Sequence, residues 1–69
     1  MRRHPRAGWI SIRQRRVVDD IEYYADRLYE TQQAAKTYAR QLQYQGKEVL
    51  VFRTATEGGH RGYAAFVRR

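Results

Sequence analysis

Cysteine is absent from the 69 residues, proline occurs once, and no apolar run reaches the length of a signal-peptide core or a membrane span. Without cysteine there is neither a disulfide framework nor a thiolate metal site, so stability has to come from packing or self-association. The missing apolar runs argue against a membrane partner and make a cytoplasmic protein the expectation. A chain this short buries only roughly 60% of the surface its unfolded form exposes, which implies one domain, a small core and no deep catalytic cleft. Acids are scarce where bases are dense. The first sixteen positions hold six arginines (Arg2, Arg3, Arg6, Arg13, Arg15, Arg16) and no acid, while the next fifteen carry Asp19, Asp20, Glu22, Asp26 and Glu30 against Arg27 alone.

What is present points to a folded domain. Apolar residues make up 42% of the chain and aromatics 13%, too much for full disorder despite the charge. Residues 1–8, with Pro5 and Gly8 among arginines, read as a mobile basic arm, and residues 9–69 as a single α+β domain. Between Trp9 and Val18 the alternation of Ile10 and Ile12 with Trp9, Ser11 and Arg13 predicts a strand. The main helix is expected over about 31–45. Thr31 offers an N-cap hydroxyl, Ala35, Tyr38, Ala39 and Leu42 recur at helical spacing, and Gly46 suits the left-handed position that ends helices. On that stripe Tyr38 is expected in the core.

Residues 19–30 carry two signals. Val17, Ile21, Tyr24, Ala25 and Leu28 fall at helical spacing, whereas Tyr23, Tyr24 and Tyr29 favour a strand that turns back on 9–18 through Asp19-Asp20. One unbroken helix from 19 to 45 would be on the order of 40 Å long and would overhang so small a domain, so a break is expected at Thr31. Helix and strand both stay open for 19–30. The C-terminal third reads as a β-hairpin, about 47–54 and 62–68, joined by a loop in which Gly58 and Gly59 supply positive φ. Apolar residues at successive positions of these runs, such as Val49 to Phe52, call for at least one strand covered on both faces. The stretch Tyr29-x-Thr31-x-x-Ala34-Ala35-x-x-Tyr38-Ala39-x-x-Leu42-x-x-x-Gly46-x-x-Val49-x-Val51 resembles the helix-then-hairpin unit of many small α+β domains, among them SPOR-like modules and compact phage accessory proteins. That resemblance implies an architectural element and no chemistry.

The net charge of +7, with arginine supplying twelve of fourteen cations, is the electrostatic footprint of a polyanion binder. Guanidinium matches phosphate oxygens in a two-pronged fork, and each neutralised phosphate releases counterions. The candidate nucleic-acid contacts are Arg2, Arg3, Arg6, Arg13, Arg15, Arg16, Lys36, Arg40, Lys47, Arg53, Arg61, Arg68 and Arg69, with Trp9 and Tyr63 as candidate base-stacking residues. The bland alternative is a solvated surface, in which the acids of 19–30 neutralise Arg13, Arg15 and Arg16 across a hairpin or meet a second subunit in a homo-oligomer. The Gly58-Gly59-His60-Arg61-Gly62 loop lacks the spacing of a phosphate loop and reads as a hairpin turn. His4 and His60 have no ligand-like company, so no metal, cofactor or catalytic residue is expected. The leading expectation is a small accessory or regulatory protein that binds DNA or RNA. Its rival is a small inhibitor, assembly or interaction protein, with a phage or plasmid among its candidate sources, that docks on a larger partner, either acidic or nucleic-acid-handling.

Overall fold

The computed structural model describes residues 8–69 of the chain. The arm read over residues 1–8 therefore lies outside the described residues, apart from Gly8. The elements follow as β1 (Trp9–Val18), β2 (Ile21–Tyr29), α1 (Gln32–Tyr44), β3 (Val49–Ala55) and β4 (Arg61–Arg68). The strands form one antiparallel sheet in the order β1-β2-β4-β3. The two signals over 19–30 resolve in favour of the strand. Asp19 and Asp20 take φ of 53° and 66°, which is the backbone of a two-residue hairpin turn matched to the natural twist of its strands.

The helix begins and ends where its caps place it. The Thr31 hydroxyl accepts a hydrogen bond from the Ala34 amide at 3.1 Å. At the other end Gly46, at φ 89°, donates to the Gln43 carbonyl, and the Lys47 amide donates to that of Leu42 at 3.2 Å. This doubly hydrogen-bonded, left-handed cap stops the helix and points the chain into β3.

Residues directly opposite each other in antiparallel strands share a face. On one face Phe66, Ala64, Leu28, Tyr23 and Ala25 form the buried cluster, with Ile12, Val18, Ile21, Leu50 and Phe52 packed on it. On the other, Ala65, Tyr29, Tyr63 and Val51 lie on the side of α1, which buries Ala35, Ala39 and Leu42 and packs mainly over β3 and β4. The central strand β4 is thus covered on both sides, as its unbroken apolar run requires.

The first face is closed by the sheet itself. Register slips by one residue between Ser11 and Gln14 of β1 and between Tyr24 and Leu28 of β2, and such bulges increase the local twist. The two outer strands then meet. Gln14 of β1 donates to the Ala55 carbonyl of β3 at 2.7 Å and accepts from the Thr54 hydroxyl at 2.9 Å, although β1 and β3 are not neighbours in the sheet. Phe66 is fully buried on this concave face, and the Arg16 guanidinium lies 4.4 Å from the Phe52 ring centre above it. Close approach of β2 to β4 also explains one glycine: a Cβ on Gly62 would run into the Tyr29 carbonyl oxygen and the Leu28 side chain.

Candidate nucleic-acid interface

Because α1 sits over β3 and β4, the convex side of β1 and β2 is left uncovered beside it. A groove of about 690 Å³ runs there, between the helix and the bulged hairpin. Trp9, Arg13, Tyr24, Arg27, Tyr38 and Lys47 line it, with one acid, Asp26. Each reaches it for a local reason. The register slip in β1 turns Arg13 out at the level where β2 also slips, and Arg13 is exposed. Lys47 follows Gly46 in the helix cap and enters beside Leu42.

Arg27 ties the groove together. Its guanidinium lies 4.3 Å from the Trp9 ring centre and 4.4 Å from that of Tyr38, and it donates to the Tyr29 hydroxyl at 3.2 Å. That hydrogen bond, partly opposed by burial, raises the Arg27 pKa above its ordinary value, so the group is a permanent cation. Burial, then the Asp26 carboxylate, raises the Tyr38 pKa, and the phenol makes a long contact of 3.5 Å to Asp26 Oδ1. At neutral pH Tyr38 is therefore an uncharged ring. A second pair repeats the motif, with the Arg69 guanidinium 4.8 Å from the Tyr24 ring centre. Contacts of this kind are worth about 0.5–1 kcal/mol at exposed sites, enough to orient a guanidinium without immobilising it.

The remaining basic positions disperse. Arg15 pairs with Glu22 at 3.3 Å and Arg68 with Glu48 at 2.9 Å, both at the surface, where such pairs contribute little to stability. Arg16 covers the concave core. Lys36 and Arg40 are on the exposed side of α1, Arg53 is exposed on the outer strand β3, and Arg61 is exposed at the start of β4. Arg2, Arg3 and Arg6 lie outside the described residues.

Of the acids of 19–30, Glu22 alone forms an ion pair among the described residues. The expected neutralisation of Arg13, Arg15 and Arg16 across the hairpin is thus reduced to Arg15. Trp9 and Tyr63 do stand on one sheet face, with Tyr29 between them, but Tyr63 does not line the groove. Tyr38 departs from its expected place in the core. It is half-buried and lines the groove, because α1 packs mainly over β3 and β4 and leaves this ring at its edge, 5.6 Å from that of Tyr29. Arg27 was not among the expected contacts; its signal was its isolation as the single cation in an acidic stretch. The glycine loop is a turn. The Gly59 and His60 amides both bond to Thr56, at 3.0 and 3.1 Å, and so do not cradle an anion.

Among the described residues no three His, Cys, Asp or Glu side chains gather as a metal site, and no helix is long and apolar enough to cross a membrane. Fold and groove together define a small α+β domain with a cationic, aromatic-lined surface. Comparison with protein-family models, curated proteins and solved structures finds no match.

Proposed function

We propose that the protein is a binder, with no catalytic role, that engages nucleic acid through the groove between α1 and the β1–β2 hairpin and contacts phosphates mainly through arginine. One observation carries this: Arg13, Arg27 and Lys47 converge on a single open surface with Trp9, Tyr24 and Tyr38 against one acid, Asp26. Cations neutralise the backbone and aromatic faces meet bases, the combination that nucleic-acid surfaces use.

The test is a titration of labelled single-stranded DNA, duplex DNA and RNA between 50 and 200 mM salt. If about four phosphates of a single strand are neutralised, the logarithm of the binding constant falls against that of salt with a slope of about −3. Absence of binding to all of them at 50 mM salt removes this proposal. Neutralising Arg2, Arg3 and Arg6 together should weaken every nucleic acid alike. The second reading, docking on a larger protein, is favoured by exposed apolar side chains outside the groove: Val17 is 54% exposed and Tyr44 85%. It takes over if nucleic acids fail to bind.

A further inference from the structure

We infer that the ligand of the groove is an unpaired strand, DNA or RNA, whose bases stack on Trp9 and on the planes beside it. This inference rests on the nucleic-acid reading above and narrows it.

The groove presents ring and guanidinium planes more than it presents isolated charge. Trp9 and Tyr38 are joined by Arg27, and Tyr24 carries Arg69. Flat π surfaces recognise base faces, which a duplex hides inside its own stack and an unpaired strand exposes. Trp9 remains 36% exposed with Arg27 already against it, so it is supported and still has surface to offer. Arg27 is held by Tyr29 and by two rings, and so places an oriented cation beside the Trp9 ring.

The charges fit the same ligand. Arg13 comes to the groove from β1 and Lys47 from the connection that follows the helix cap, so a backbone running along it would be met from both sides. Asp26 is the one acid against these cations, and its Oδ1 makes a long contact of 3.5 Å with the Tyr38 hydroxyl. The groove belongs to a molecule only 46 × 30 × 16 Å in extent, which suits a short segment of a few nucleotides.

Trp9 is the one tryptophan of the chain, so its emission reports stacking directly. The full-length protein is titrated at 50 mM salt with oligothymidylate, oligouridylate, a duplex of the same length, and inorganic polyphosphate, which has the charge without bases. The expected result is strong quenching of Trp9 by both single strands, binding at least about tenfold tighter than to the duplex, and polyphosphate binding without quenching. A difference between thymidylate and uridylate identifies the preferred sugar.

Trp9→Ala, followed by anisotropy of the labelled strand, should cost roughly 5- to 150-fold for single strands, the range of one lost base stack, and leave polyphosphate unchanged. Trp9→Phe should restore most of the affinity. A melting curve for each variant separates lost stacking from lost folding. Duplex bound as tightly as single strands, or single strands bound without quenching, overturns the inference while leaving nucleic-acid binding in place. No binding by any nucleic acid removes both.

Discussion

The two hairpins of this molecule are built on opposite plans. β3 and β4 pair through seven consecutive residue pairs without a slip, and the pair supports the helix on one side and the buried phenylalanine on the other. β1 and β2 turn on two residues at positive φ and lose register between Ser11 and Gln14, as β2 does against β4 between Tyr24 and Leu28. The regular hairpin makes the core, while the irregular one curls its edge across to β3 and leaves its outer surface to the groove. Irregularity at the β1–β2 level is what turns Arg13 outward and brings Gln14 to Ala55.

Substitutions that strike the seam between the hairpins should have the largest effect. Gly62→Val places side-chain atoms against the Tyr29 carbonyl, and overpacking at a backbone contact costs about 3 kcal/mol or more. A chain of this size has only about 3–10 kcal/mol of stability in total, so the variant should lose a large share of it and melt well below the wild type by circular dichroism. A folded variant with wild-type melting would mean that β2 and β4 do not approach as closely as described.

Breaking the curl alone is milder. Gln14→Ala removes two hydrogen bonds between the outer strands and should cost about 1–2 kcal/mol in urea denaturation. It should also speed amide exchange in β1 more than in β4, and equal acceleration would show that the two hairpins are a single unit. Removing the helix cap by Thr31→Ala should cost about 1 kcal/mol. Asp20→Gly works in the opposite direction. It relieves a side chain at φ 66° and should stabilise the β1–β2 hairpin by up to about 1 kcal/mol; a loss would contradict the turn.

The smallest effect is alkaline. The Tyr38 pKa is raised by burial and by Asp26, so the folded chain keeps that proton longer than the unfolded chain, whose tyrosines ionise near pH ~10. The contribution is fully present below that pH and is lost as pH rises through the folded value. Tyr38→Phe should accordingly flatten the fall in stability above pH ~10, and an unchanged slope would place the phenol in water.

The same contrast explains what could be foreseen. The helix was legible from Thr31 and Gly46 because caps are local, and β4 because its apolar run is continuous. Residues 19–30 were ambiguous for a physical reason: the bulges break the two-residue period. Val17 and Tyr24 project on the convex side and Ile21, Ala25 and Leu28 on the concave side, yet in sequence they imitate one helical stripe. The basic surface was legible as a charge and, in part, by its members Arg13, Lys47 and Trp9, though not by Arg27. Arg15, Arg16 and Arg68 engage an acid or the core, and Arg27 became central only when the fold set it between β1 and α1. Joining Trp9 to Tyr38 requires tertiary structure that no spacing encodes.

If the groove between α1 and the β1–β2 hairpin is where nucleic acid is held, as proposed, an amide chemical-shift map of the protein titrated with a short oligothymidylate should show its largest shifts at Trp9, Arg13, Tyr24, Arg27, Tyr38 and Lys47, with the Trp9 indole N–H foremost. Shifts concentrated instead at Lys36, Arg40 and Arg53, with the groove unmoved, would contradict it.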